Sequence, residues 1–181
     1  METKPCIVLG IDPGTHVTGY GLVAQEGSNL KHVHSGYIQT KKDDPLSRRL
    51  RTIHVELNKV IHEYAPTHAA IESVFTFKNV KSAMILSHAR GVAMLSCSTI
   101  DIEVMEYSPL EVKMAAVGYG RATKEQVTQM MQKLFRPQKK TTDTKHDAYD
   151  ALAVAFCHLQ HLQLQRRIAA SMRSNPRTSP P

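Results

Sequence analysis

The chain has no apolar run approaching the roughly 20 residues that cross a bilayer, which argues against a membrane-spanning helix. Its first apolar run, CIVLGI at 6–11, is far too short and lacks a cleavage-site pattern, so it reads as a strand rather than a signal peptide. There is no CxxC pair. Cys6, Cys97 and Cys157 are far apart and odd in number, which argues against a zinc cage or a disulfide framework. Buried free thiols and a cytoplasmic setting are the expectation. Acidic residues are scarce beside basic ones, 16 against 23, for a net charge of +7. That balance points to an anionic partner, nucleic acid first. Part of the excess lies in RRIAASMRSNPRTSPP, 166–181, whose Ser, Pro and Arg content reads as a disordered basic tail. Charge therefore does not identify the partner by itself. No internal repeat and no composition break suggest a second unit. With 181 residues, 41% hydrophobic and 22% charged, the chain suits one soluble globular domain, expected over 1–165.

What is present reads as an α/β order. CIVLGID (6–12) is continuously apolar, as a strand buried on both faces would be. VTGYGLVAQ (17–25) and KHVHSGYIQT (31–40) continue it as an antiparallel meander. DDP at 43–45 signals a helix start with an acidic cap and proline in the first turn. Leu46, Leu50, Ile53, Leu57, Val60, Ile61 and Tyr64 then form one apolar stripe, with Arg48, Arg49, Arg51 and Lys59 mostly off it. HAAIES (68–73) and DIEVMEY (101–107) read as strands around a helix at 79–97. Small residues on more than one side of that helix suit packing on the sheet and on a second copy of the chain. SPLEVKMAAVG and TKEQVTQMMQKLF supply a short helix and a longer capped one, and the last helix opens within TKHDAYDALAVAF, 144–156.

Two acids stand apart from the solvated ones. Asp12 closes an apolar strand in LGIDPGT, and Glu72 closes another in AAIES. A carboxylate beside a strand core is costly unless paired or bound to a cation. Asp-Pro-Gly is also a good turn, and a glutamate there can cap a helix, so each has a structural alternative. Asp147 and Asp150 are three apart on the last helix and share a face. Acids in a first helical turn are favoured with or without a metal. Taken together, these carboxylates are what a two-ion magnesium site requires, since Mg²⁺ takes oxygen ligands and needs one or two carboxylates per ion. Sequence alone does not bring them together in space. His146 reads as a helix-start bystander.

LGIDPGTHVTGYG (9–21), AAIESVF (69–75), YSPLEVKMAAVGYGRATKEQV (107–127) and HDAYDALAVA (146–155), at these separations, resemble the RuvC-type Holliday junction resolvases. The resemblance runs from about 6 to 160. It implies an α/β, ribonuclease H-like fold, a five-stranded mixed sheet flanked by helices. It implies a homodimeric, Mg²⁺-dependent endonuclease, with two ions per site and Mn²⁺ able to substitute. Such an enzyme cuts four-way junction DNA by paired symmetric nicks near the crossover, prefers TT-containing sequences, and leaves 5′-phosphate and 3′-hydroxyl ends. The implied partner is the RuvA–RuvB branch-migration complex.

By the same resemblance, Asp12, Glu72, Asp147 and Asp150 are the catalytic, metal-holding acids. Phe75 matches a base-stacking aromatic, which suits the partly unstacked bases of a junction. Lys113 and Lys124 match basic positions tied to DNA binding and catalysis. Lys78, Lys81, Arg90 and Arg121 are candidate backbone contacts, each taken alone more readily read as a solvated side chain, and Phe77 has no assigned role. IDPGT (11–15) also fits the first phosphate loop of actin-like ATPases and sugar kinases. Those need two such domains and a second phosphate loop, for which 181 residues leave no room.

Overall fold

A computed structural model describes residues 5–27, 29–73, 80–135 and 146–174. Five strands and five helices follow in the order β1 (Cys6–Asp12), β2 (Val17–Glu26), β3 (Asn29–Gln39), α1 (Leu46–Tyr64), β4 (His68–Glu72), α2 (Val80–Ser98), β5 (Val104–Tyr107), α3 (Pro109–Val117), α4 (Lys124–Phe135) and α5 (His146–Ser174). The sheet order is β3-β2-β1-β4-β5. β1, β2 and β3 form the expected antiparallel meander, while β4 pairs parallel to β1 and β5 parallel to β4.

Both faces of the sheet are covered, which is why the middles of its central strands, 7–11 and 69–71, carry no polar side chain. Leu9, Ile11, Ala69 and Ile71 point to the layer holding α1 and α2, against Ile53, Leu57, Ile61, Ala89 and Ala93. Val8 and Ala70 point the other way, into the layer of α3, α4 and α5. The period of two then places Asp12 with Val8 and Gly10, and Glu72 with Ala70, on the α5 side.

α5 is apolar all round where it crosses the sheet. Ala151, Leu152, Ala153, Val154, Ala155, Phe156 and Cys157 are all buried between β1 and β2 below and α3 and α4 above. It lies close enough for backbone to touch backbone. A Cβ on Gly10 would sit 2.1 Å from the Ala151 carbonyl oxygen, and one on Gly19 would sit 2.0 Å from that of Asp147. No side chain fits at either position, so the two glycines set the depth of the helix.

Several local expectations are corrected. Pro45 occupies the N-cap of α1 with extended backbone, ψ 147, and no side chain caps that helix. Asp44 pairs with Arg48 instead. Arg49, placed off the apolar stripe, is buried and donates from Nε to the Thr15 carbonyl at 3.0 Å. β5 begins at Val104 rather than 101. Asp101 adopts a left-handed φ of 57° in the turn before it, which interrupts an extended run. The unstructured tail expected from Arg166 is helical as far as Ser174. Leu164, Ile168, Ala169, Ala170 and Met172 are competent helix residues, and adding them to a helix already nucleated in the core costs little.

Gly10→Ala is expected to lower stability by about 1–3 kcal/mol through overpacking against α5. Chemical denaturation followed by circular dichroism reads the change; an unaltered midpoint would show that α5 has room to spare.

Candidate active site

The carboxylates reach one place for reasons of register. β1 and β4 run parallel with Ile11 beside Ile71, so the next residues, Asp12 and Glu72, end neighbouring strands on the same face. α5 starts at His146 directly over this edge, with Asp147 against Gly19, the residue paired with Asp12 on β2. One oxygen each from Asp12, Asp147 and Asp150 lies within 4.8 Å of the other two. Glu72 stands outside that triple but lines the same cleft. The cleft, about 370 Å³, is walled by Asp12, Glu72, Asp150, Lys113 and Lys124, with Pro109, Val112, Val127 and Ala153 as apolar sides.

The two lysines come from helices that are capped to hold them. Ser108 accepts from the Glu111 backbone N–H while the Glu111 carboxylate accepts from that of Ser108, a reciprocal capping box that starts α3 and sets Lys113 one turn in. Thr123 and Gln126 make the equivalent exchange at the start of α4. Lys124, the first residue of α4, reaches Asp150 with Nζ 2.5 Å from Oδ2.

Like charges this close raise one another's proton affinity. Burial, then the charges of Glu72, Asp150 and Asp147, push Asp12 up to about 8, with Lys124 opposing. Glu72 is raised by burial and by Asp150 against the pull of Lys124 and Lys113. Burial also raises Asp150, against the hydrogen bond and charge of Lys124. Burial alone would lower Lys124; its hydrogen bond to Asp150 and the charges of Asp150, Asp12 and Asp147 outweigh that and raise it. Lys124, with Lys113 acting on Glu72, thus opposes several clustered carboxyls. The donor set is all oxygen, which suits a hard divalent cation such as Mg²⁺ or Mn²⁺ far better than a thiophilic one.

Five of the expected site residues thus share the cleft, Asp12, Glu72, Asp150, Lys113 and Lys124, and the sixth, Asp147, joins Asp12 and Asp150 in the triple at its edge. Lys81 and Arg121 are exposed and do not line it. Arg90 is ion-paired to Glu106 on β5. His146 is exposed at the first position of α5. Phe75, Phe77 and Lys78 lie outside the described residues. Sequence reasoning missed the apolar walls and the glycines under α5. The alternation of Gly10 with the large apolar residues of β1, repeated by Gly19 and Gly21 on β2, was the available sign of a helix packed directly on the backbone.

The family model described as crossover junction endodeoxyribonuclease RuvC matches residues 8–158. A crossover junction endodeoxyribonuclease RuvC of Syntrophotalea carbinolica is 52% identical over 151 residues, covering 83% of this chain and 92% of that one. The same-named protein of Trichlorobacter lovleyi is 42% identical and covers 95% of both chains. Among solved structures, T. thermophilus RuvC in complex with a Holliday junction substrate superposes with a TM-score of 0.80 at 28% identity, covering 88% of this chain and 96% of that one. The yeast mitochondrial resolvase Ydc2, 14% identical with a TM-score of 0.61 over 83% of this chain and 76% of that one, shares the fold. The architecture is the expected ribonuclease H-like one.

A carboxyl raised in the folded chain keeps its proton where the unfolded chain has lost it. The contribution of Asp12 to stability in metal-free buffer is therefore full below about pH 4 and is lost as pH rises towards about 8. Cations require the deprotonated form and release protons on binding. The rise in melting temperature produced by Mn²⁺ or Mg²⁺ is expected to be larger at pH 8 than at pH 6. Thermal scans at fixed metal concentration read this; equal shifts at both values would contradict it.

Proposed function

The chain belongs to the RuvC family of crossover junction endodeoxyribonucleases, and from that membership and its carboxylate cleft we propose a divalent-cation-dependent endonuclease that resolves four-way DNA junctions. The observation that carries the reading is the meeting of Asp12, Asp147 and Asp150, with Asp12 and Asp150 lining one cleft together with Glu72, Lys113 and Lys124. Asp12, Asp147, Asp150 and Glu72 would hold the metal, two Mg²⁺ ions with Mn²⁺ as a substitute. When bound, the ions supply the Lewis acidity that activates water and neutralises charge on the leaving oxygen. Water adds to phosphorus as the bond to the 3′-oxygen breaks, one of its protons ending on that oxygen. The products are a 5′-phosphate and a 3′-hydroxyl.

The side chains divide the remaining work. Packing of Ala151–Phe156 fixes the first turn of α5, so Asp147 and Asp150 need no reorganisation to meet a cation. Lys124 and Lys113 line the cleft beside the acids, where cationic groups would stabilise the extra negative charge of the pentavalent transition state. Phe75, three residues beyond Glu72, would stack on a base near the crossover. Lys78, Lys81 and Arg121 would meet the phosphate backbone.

Paired symmetric nicks require two such sites, hence a homodimer. Support for it comes from α2, whose Met84, His88, Gly91 and Leu95 recur at spacings of three and four on an exposed face; Met84 is 61% and Leu95 55% exposed. Apolar side chains that far out on a small-residue helix suit close packing against a second copy. A branch-migration motor of the RuvA–RuvB kind would be the partner that delivers junctions, in recombination and DNA repair in the cytoplasm. Among the described residues no helix is long and apolar enough to cross a membrane.

The purified chain is expected to nick a synthetic four-way junction symmetrically in Mg²⁺ and to leave linear duplex largely intact. Asp12→Asn should bind the junction and fail to cut it. Binding without cutting by the wild type in both Mg²⁺ and Mn²⁺ would sink the enzyme reading, and equal cutting of plain duplex would sink the junction specificity.

A further inference from the structure

Arg49 is a charged side chain only 9% exposed, and no ion pair among the described residues involves it. Its Nε donates to the Thr15 carbonyl at 3.0 Å, and its Nη2 is buried without a hydrogen-bond partner. Burying a guanidinium against one backbone oxygen is expensive, since an apolar side chain of similar length would fill the space without the desolvation cost. The position of its single bond explains what it does.

Thr15 lies in the short connection, 13–16, that carries the chain from Asp12 into β2. The carbonyls of that connection are taken up one after another. Thr18 Oγ1 donates to the Gly14 oxygen at 2.6 Å. Thr40 Oγ1 donates to the Thr15 oxygen at 2.6 Å, where Arg49 is the second donor. The Thr40 backbone N–H donates to the His16 oxygen at 3.0 Å. A carbonyl has two lone pairs, and Arg49 with Thr40 occupies both on Thr15. Because Arg49 projects from α1, in the layer opposite α5, it ties the turn to the far side of the sheet.

From this we infer that Arg49 is a positioning residue: with Thr40 it clamps the 13–16 turn and thereby holds Asp12 in place for its metal. The inference rests on the reading of the Asp12 cleft as a metal-dependent nuclease site. It assigns Arg49 no contact with DNA and no proton transfer. Removing such a support typically lowers metal affinity or activity by about 10- to 100-fold.

The test compares wild type with Arg49→Met, Arg49→Lys and Thr40→Val in the full chain. Mn²⁺ affinity is read without DNA, by electron paramagnetic resonance of free Mn²⁺, alongside the unfolding midpoint and junction cleavage. Arg49→Met should unfold cooperatively near the wild-type midpoint, because an apolar side chain replaces a poorly paired charge. Its Mn²⁺ affinity should fall by about 10-fold or more, with a lower kcat and an unchanged KM for the junction. Arg49→Lys, which keeps one donor, should recover part of the loss, and Thr40→Val should err in the same direction as Arg49→Met. Wild-type Mn²⁺ affinity in Arg49→Met would overturn the clamp, as would a loss that only follows the fraction unfolded. If Arg49→Met does not fold, Thr40→Val decides, and wild-type affinity there overturns it too. A wild type that binds Mn²⁺ but cuts nothing would instead overturn the nuclease reading and leave the affinity comparison standing.

Discussion

The contact between the backbone of α5 and the backbones of β1 and β2 governs the molecule. Gly10 and Gly19 leave no space for a Cβ, so the helix sits as deep as peptide groups allow. That depth brings the first turn of a helix that starts at residue 146 down to the end of a strand that finishes at residue 12. A helix riding on ordinary side chains would stand farther off, near the roughly 10 Å spacing common for packed layers. The carboxylates of Asp147 and Asp150 would then be lifted away from Asp12. Close packing in the core is therefore the origin of the site's geometry.

The same contact creates an electrostatic problem. Asp12, Asp147 and Asp150 are held within a few ångströms of one another, Glu72 is added from the next strand, and burial raises the cost of charge on Asp12, Glu72 and Asp150. Lys124 answers part of it by pairing with Asp150, and proton uptake by Asp12 answers more. A rigid frame that forces carboxyls together is unstable in their ionised form and selective for whatever cation restores balance. The all-oxygen donor set suits a hard divalent cation. The capped starts of α3 and α4 bring Lys113 and Lys124 into the same cleft, Lys124 in direct contact with Asp150.

Much of this was readable from residue order. The continuous apolar runs of β1 and β4 announced strands buried on both faces, and an acid at the end of each was conspicuous for that reason. The stripe of α1 and the capping signal of α4 are local, which is why they were legible. Three features were not, because each depends on a distant contact. Arg49 sits beside exposed arginines in the sequence, and only the turn it meets 34 residues earlier separates it from them. The glycines of β1 and β2 look like flexible positions until a helix from the far end of the chain lies on them. Glu72 shares the cleft but stands outside the tight aspartate triple, a distinction of a few ångströms that spacing along the chain does not encode.

The cation site proposed for Asp12, Asp147 and Asp150, with Glu72 at its edge, depends on the α5–sheet contact. Anomalous diffraction from crystals equilibrated with Mn²⁺ tests it without relying on cleavage. The expected result is a manganese peak in direct contact with carboxylate oxygens of Asp12 and of at least one α5 aspartate, with Glu72 beside it. Manganese bound elsewhere on the chain with that cleft empty, while Lys124 still holds Asp150, would contradict it.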